Sequence, residues 1–169
     1  MAATITVLGI GNPIMADDGV GLALIAYLSR SVTDPRVQII DGGTGGMELV
    51  PVVQDSERLL VLDAVAGPEP GTVVLLTGDQ VPRLLASKLS PHQVGLLDVL
   101  SVARLLGREP REVVIVGIVP EVVDLRFSLS DVVTEALDEA AAMAYEVVEH
   151  WLAEADYREL DCVTQRRWS

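Results

Sequence analysis

The sequence has few aromatic residues and a single cysteine. Aromatic residues make up 4% of its 169 residues, with one phenylalanine, Phe127, while half of the sequence is apolar. The core must therefore be built from Val, Leu, Ile and Ala, a composition that suits stacked layers of helix and sheet. The one cysteine, Cys162, cannot form an internal disulfide, so nothing indicates an oxidising compartment.

Basic residues and long apolar runs are also scarce. Twelve basic side chains stand against 25 acidic ones, which gives a formal net charge of −13. Such a field repels a phosphate backbone and argues against a nucleic-acid partner. No apolar run approaches the roughly 20 residues of a membrane span, and the first residues lack the basic and apolar regions of a signal peptide. We therefore expect a cytoplasmic protein with no membrane span.

Short apolar runs alternate with longer segments of helical period. The runs predict five strands, at residues 5–10, 37–40, 59–62, 72–76 and 113–119. Only the Gly/Pro-rich residues 67–71 separate the third run from the fourth, too few for a helical crossover, so the fourth strand should be antiparallel to the third. The sequence predicts an α/β fold, a three-layer helix–sheet–helix sandwich around a five-stranded, mostly parallel twisted sheet with one antiparallel strand.

The pattern also predicts the limits of the domain. A last helix should begin near Ser128 or Ser130, and its apolar stripe ends at Trp151. After Glu154 the helical pattern fails. We therefore expect one domain over residues 1–155 and a polar, mobile C-terminal tail over residues 156–169.

Three polar residues should meet at one edge of the sheet. Asp18 follows the first strand and Asp63 ends the third, and a helix near residues 81–88 would return His92 to the same edge. Two oxygen ligands and one nitrogen ligand suit nickel or zinc. Each residue alone also has a structural interpretation: Asp18 in a first helical turn, Asp63 at a loop start and His92 beside a helix cap.

The glycines after the first strand raise a second possibility. Gly9 and Gly11, with an acidic residue, Asp41, ending the second strand, partly match a dinucleotide-binding fingerprint. However, Ile14 takes the place of the third glycine, and Pro13 spoils the tight strand-to-helix turn that approaches a pyrophosphate. A dinucleotide-binding enzyme therefore stays an alternative with weak support.

Five motifs, taken in order, resemble those of the hydrogenase maturation proteases. They lie at residues 8–13 with 17–21, then at 41–49, 62–64, 90–93 and 117–121. The resemblance covers about residues 5–152. It implies a cytoplasmic, aspartate- and metal-dependent endopeptidase that removes the C-terminal extension of a NiFe-hydrogenase large-subunit precursor once nickel is in place. The fold that it implies agrees with the sandwich predicted above.

The resemblance also assigns roles to individual residues. It implies that Asp18, Asp63 and His92 contact nickel carried by the substrate, with Asp18 or Asp63 as a possible general base toward water. The glycine-rich loop that begins at Asp41 should hold the extended C-terminal segment of the substrate; its candidate residues are Asp41, Gly42, Gly43, Thr44 and Gly45. A non-catalytic nickel-dependent assembly chaperone would use the same ligands. We expect a monomer.

Overall fold

The computed structural model of the chain describes residues 5–78, 80–81 and 91–167, and for residues 91–94, 161 and 163–167 it describes the backbone alone. The strands are β1 (Ile5–Ile10), β2 (Val37–Gly43), β3 (Arg58–Ala64), β4 (Val73–Thr77) and β5 (Glu112–Ile118). The α-helices of these residues are α1 (Val20–Ser31), α2 (Val50–Gln54), α3 (Pro91–Leu105) and α4 (Asp131–Arg167). Short 3-10 helices, Ala16–Gly19 and Met47–Leu49, lead into α1 and α2.

The five strands form one sheet in the order β2-β1-β3-β5-β4. Strand β1 is parallel to β2 and β3, β3 is parallel to β5, and β4 is antiparallel to β5. The predicted fold class is therefore confirmed, including its one antiparallel strand. The short connection after β3 reverses the chain as expected, and β5 lies between β3 and β4, which leaves β4 at the sheet edge.

Apolar layers cover both faces of this sheet. On one face, Leu24 of α1 and Trp151 of α4 pack in one core with Val116 of β5. On the other face, Val53 of α2 and Leu96 of α3 pack in a second core with strand residues. Every residue of β3 is buried, as expected for a central strand that is covered on both faces. Among the described residues, no helix combines the length and apolar character needed to cross a membrane.

The predicted end of the last helix is wrong. Helix α4 does not end near Glu154 but continues to Arg167. Residues 155–167 contain no glycine or proline, and a helix that is already nucleated and packed propagates through polar residues of ordinary helix propensity without an apolar stripe. The Arg36 guanidinium also pairs with Asp156 at 2.5 Å. Whether residues 156–169 are mobile stays a prediction.

The connection between β4 and α3 lies mostly outside the described residues. The predicted helix near residues 81–88 falls there, apart from its first residue. Helix α3 begins at Pro91, and proline is favoured at the first position of a helix because its missing N–H would have no partner there. After α3 ends at Leu105, Gly107 adopts a φ of +68°, the left-handed conformation with which helices commonly terminate.

Candidate functional site

Asp18 lies over the carboxyl end of β1. The chain leaves the strand through Gly11, whose φ is +145° and at which a Cβ atom would lie 2.0 Å from the carbonyl oxygen of Asp18. The Asn12 N–H donates a hydrogen bond of 3.2 Å to Oδ2 of Asp18. The Asp18 residue is 5% exposed. The carboxylate is therefore held by the loop that follows β1, and glycine is required where that loop passes closest to it.

Asp63 lies at the same edge, near the end of the adjacent strand. It is 1% exposed, and its Oδ1 accepts a hydrogen bond of 2.8 Å from the Ala64 N–H. Strand β3 carries it one residue beyond Leu62, which is paired with Gly9 of β1. Parallel strands end at a common edge, so β1 and β3 bring the two carboxylate-bearing segments together as the sequence predicted.

Gly21 fixes the position of α1 on this edge. A Cβ atom at residue 21 would lie 2.3 Å from the carbonyl oxygen of Ile10 and 2.3 Å from that of Leu62. The first turn of α1 therefore rests directly on the carboxyl ends of β1 and β3. Because Asp18 immediately precedes this turn, the contact also sets how closely its segment approaches that of Asp63.

The backbone of His92 lies in the first turn of α3, and its side chain lies outside the described part of the chain. Further along α3, a Cβ atom at Gly95 would be 3.7 Å from the Cα atom of Gly46 and 3.9 Å from the carbonyl oxygen of Gly45. The start of α3 is thus in contact with the loop that follows β2. Among the side chains that are described, which exclude that of His92, no three His, Cys, Asp or Glu are grouped to hold a metal ion.

The glycine-rich loop after β2 is shaped by its own hydrogen bonds. Oδ1 of Asp41 accepts a bond of 2.9 Å from the Gly43 N–H, and the Gly45 N–H donates one of 2.8 Å to the Gly42 carbonyl. The Gly11 N–H donates to the Gly43 carbonyl at 2.8 Å, which ties the loop to the one that carries Asp18. Asp41 therefore stabilises the loop, and its role toward substrate stays a prediction.

Asp17 is a buried residue whose role the sequence analysis missed. Its carboxylate is fully buried and accepts four hydrogen bonds. Oδ2 accepts from the backbone N–H groups of Glu121 and Val122, both at 2.9 Å, and from the Ser130 hydroxyl at 2.8 Å. Oδ1 accepts from the Ser130 N–H at 2.7 Å. The residue directly before Asp18 thus anchors the segment between β5 and α4.

Burial and hydrogen bonding shift the pKa of the Asp17 carboxyl in opposite directions. Desolvation raises the pKa of the Asp17 carboxyl, but the hydrogen bonds from Ser130, Val122 and Glu121 together outweigh it and hold that pKa below its ordinary value. Asp17 is therefore a buried anion stabilised by donors. The one signal for this role is the doubled aspartate at residues 17 and 18, but an acidic residue in a first helical turn is ordinary.

The same segment is also joined to the chain before Asp17. Met15 and Arg126 form a parallel β-bridge, in which the Arg126 N–H donates to the Ile14 carbonyl at 3.0 Å and the Ala16 N–H donates to the Arg126 carbonyl at 2.8 Å. The Asp17 N–H donates to the Val122 carbonyl at 3.0 Å. Residues 121–127, here called the 121–127 loop, are therefore held against residues 14–17 at the start of the loop and again near its end.

Comparisons of sequence with known proteins agree on one family. A family model described as hydrogenase maturation protease matches residues 22–147. The Hydrogenase 2 maturation protease of Escherichia coli strain K12 is 39% identical over 140 residues, which are 81% of this chain and 85% of that protein. The hydrogenase expression/formation protein HupD of Bradyrhizobium diazoefficiens is 39% identical over 151 residues, 87% of this chain and 79% of that protein.

Solved structures give the same result. The hydrogenase maturating endopeptidase HybD from E. coli matches with a TM-score of 0.83 at 33% identity, over 87% of this chain and 93% of that one. The NiFe hydrogenase maturation protease HybD from Thermococcus kodakarensis matches with a TM-score of 0.72 at 28% identity, over 85% of this chain and 98% of that one. The match in fold thus extends well beyond the loops of the candidate site.

Proposed function

Because the chain belongs to the hydrogenase maturation protease family, we propose that it removes the C-terminal extension of a NiFe-hydrogenase large-subunit precursor after nickel has been inserted. Membership makes the chain a hydrolase that acts in hydrogenase maturation. The observation that carries the finer proposal is the placement of two nearly buried carboxylates at one edge of the sheet. Asp63 lies near the end of β3, and Asp18 lies in the 3-10 helix that follows the adjacent parallel strand β1. A dinucleotide-binding enzyme has no support from these relatives.

The proposed recognition element is nickel, carried by the substrate. Asp18 and Asp63 are 5% and 1% exposed, and two carboxylates at one edge of low accessibility favour a cation there. His92 belongs to the first turn of α3, and Gly95, three residues further along the helix, lies against the glycine-rich loop at the same edge. Carboxylate oxygens and an imidazole nitrogen suit nickel. In this proposal, the three residues report that the precursor is loaded, and cleavage depends on it.

The chemistry would be hydrolysis of one peptide bond. A carboxylate of Asp18 or Asp63 takes a proton from water, and the water oxygen attacks the scissile carbonyl carbon. The C–N bond then breaks, and the same group returns the proton to the departing amine. The substrate's nickel would polarise the scissile carbonyl as a Lewis acid. Of the two carboxylates, Asp63 already accepts a backbone hydrogen bond on Oδ1, and Asp18 accepts one on Oδ2.

We assign the extended C-terminal segment of the substrate to the glycine-rich loop, with Asp41, Gly42, Gly43, Thr44 and Gly45. This loop follows β2, an edge strand of the sheet, and it contacts both the loop of Asp18 and the start of α3. The N–H groups of Gly43 and Gly45 bond within the loop. We therefore expect the other backbone groups of the glycine-rich loop, such as those of the exposed Thr44, to contact the substrate.

A cleavage assay tests the proposal. The large-subunit precursor is prepared with and without nickel and is mixed with wild type and with Asp18→Ala, Asp63→Ala and His92→Ala. Mass spectrometry follows the loss of the C-terminal peptide. Two matched controls, Asp138→Ala and His150→Ala, change exposed side chains of α4.

We expect cleavage of the loaded precursor alone, its loss in the three site variants and its retention in both controls. Binding of the loaded precursor without shortening would instead indicate a non-catalytic assembly chaperone. Equal cleavage of precursor with and without nickel would contradict the proposal that Asp18, Asp63 and His92 recognise nickel carried by the substrate.

A further inference from the structure

The 121–127 loop exposes large apolar side chains. Leu125 is 75% exposed and Phe127, the one phenylalanine of the sequence, is 84% exposed. Val123 of the same loop is 47% exposed, and Ile14, on the segment paired with the loop, is 40% exposed. Single exposed apolar residues need no explanation, but four on two paired segments form a patch of the kind that marks interaction surfaces.

The backbone that carries this patch is held in place. Asp17 accepts hydrogen bonds from the N–H groups at the start of the loop and from Ser130 just after it. The bridge between Met15 and Arg126 fixes the loop near its end, at the residue between Leu125 and Phe127. The apolar side chains are therefore presented by an ordered backbone instead of being left outside by a loose one. A surface organised in advance loses less conformational entropy when a partner binds.

The patch is continuous with the candidate catalytic edge. The segment paired with the loop ends at Ala16, two residues before Asp18, and Asp17 between them is bonded to the loop itself. A polypeptide whose scissile segment reaches Asp18 brings the residues next to that segment to the surface beside Asp18, because each extended residue adds only about 3.3 Å. On the side of residues 14–17 that surface is the 121–127 loop, so the part of the precursor that leads into its scissile segment comes against this loop.

We propose that Ile14, Leu125 and Phe127 dock the folded body of the precursor beside its scissile segment. This inference rests on the proposed function and adds a substrate-binding surface to it. Phenylalanine and arginine are enriched at protein–protein interfaces, and the loop offers Arg126 between the two apolar residues. The exposed Glu121 and Asp124 belong to the same loop, so the proposed contact is limited to Ile14, Leu125 and Phe127, which have no charge to be desolvated.

The test separates binding of the precursor from the chemical step. Cleavage of nickel-loaded precursor is measured over a range of concentrations for wild type and for the double variant Leu125→Ser/Phe127→Ser. The matched control is Leu105→Ser/Leu106→Ser, at the far end of α3, where the two leucines are 85% and 59% exposed. We expect KM to rise at least tenfold in the loop variant with kcat within twofold of wild type, and both constants to stay within twofold in the control. Phe127→Leu should retain most of the affinity.

Thermal unfolding and the oligomeric state of wild type and of the loop variant are also measured. Thermal unfolding should be unchanged, because the substituted side chains are exposed. An unchanged KM in the loop variant, while wild type cleaves, would overturn the docking surface and leave the peptidase intact. If wild type binds loaded precursor without cleaving it and the loop variant does not bind, docking stands and the peptidase proposal fails. A wild-type dimer that the loop variant abolishes, with KM unchanged, would assign the patch to a second copy of the chain and overturn the proposal.

Discussion

The carboxylate of Asp17 accepts two hydrogen bonds from Ser130, one from its N–H at 2.7 Å and one from its hydroxyl at 2.8 Å. Ser130 in turn accepts a hydrogen bond from the Val133 N–H on its hydroxyl oxygen, as an N-cap does in the first turn of a helix. One buried anion therefore joins the 3-10 helix that bears Asp18 to the start of α4. The position of the candidate catalytic carboxylate depends on a contact 113 residues away in sequence.

Asp17→Asn should destabilise the protein more than its small change in shape suggests. The amide retains one acceptor oxygen, but its NH2 group faces donors, so buried N–H groups lose their partner. We expect a loss of about 2–4 kcal/mol in the free energy of unfolding, measured by urea denaturation. Asp124→Asn, an exposed change in the same loop, should cost less than about 0.5 kcal/mol. A stability for Asp17→Asn equal to that of this control would contradict the anchoring role.

The same carboxylate predicts a pH dependence. Its pKa is lower in the folded protein than its ordinary value because of the hydrogen bonds from Ser130, Val122 and Glu121. A depressed pKa contributes stability that is fully present above the unfolded pKa, about 3.9, and is lost as the pH falls through the folded value. The difference in unfolding free energy between wild type and Asp17→Asn should therefore be constant from pH 7 to 5 and shrink below about pH 4. A difference that stays constant down to pH 2 would refute this.

Two glycine-to-alanine changes in helices should have opposite effects. At Gly21 a Cβ atom would lie 2.3 Å from two backbone carbonyl oxygens, so α1 must move off the sheet, and we expect a loss of more than about 2 kcal/mol. At Gly95 the nearest atom of the described residues is 3.7 Å away, and alanine should add about 0.5–1 kcal/mol through its helix propensity. Chemical denaturation compares the two. Similar free energies of unfolding for Gly21→Ala and Gly95→Ala would show that α1 can move off the sheet without loss of stability.

Variants of Arg58 test whether its side chain stabilises the protein through its packing or through its charge. It is 4% exposed, its guanidinium lies 5.6 Å from the centre of the Trp151 ring, and it pairs with Glu154. Among the described residues, its Nη1 atom has no hydrogen-bond partner. Arg58→Met keeps the volume over Trp151 and removes a buried donor, so it should be more stable than Arg58→Ala by at least about 1 kcal/mol.

Thermal and urea unfolding, followed by tryptophan fluorescence and by circular dichroism, measure the difference between the two Arg58 variants. Equal losses in both would show that the charge of Arg58, rather than its packing, stabilises this end of the sheet. Leu106→Ala, an exposed change elsewhere, provides the baseline.

Local patterns were enough to predict the strands and the direction of β4. The apolar run of β3 indicated a strand covered on both faces, and the length of the following connection indicated a reversal. The insertion of β5 between β3 and β4 could not be predicted, because strand order depends on pairing between distant segments. The length of α4 was predicted wrongly because an apolar stripe indicates only which part of a helix is buried. A helix that is packed over its first turns can continue through polar residues beyond that stripe.

For the site, the strand ends predicted the common edge of Asp18 and Asp63. The role of Asp17 was out of reach, since its four donors belong to Glu121, Val122 and Ser130, more than a hundred residues later. A first-turn aspartate looks the same in sequence whether it faces solvent or anchors a distant loop. The convergence of the His92 side chain with the two carboxylates stays a prediction.

Helix α4 begins at the edge that carries Asp18, and by Glu154 it has reached Arg58, the first residue of β3, at the opposite edge. At about 1.5 Å per residue, Cys162 lies about 45 Å along the helix from its start. It is exposed, and it is the one cysteine of the sequence. A maleimide fluorophore or a surface linker attached to this thiol would therefore leave the edge with Asp18 and Asp63 open. Single molecules of the protein could then be tethered through this thiol, and their binding to a labelled precursor could be observed with and without nickel.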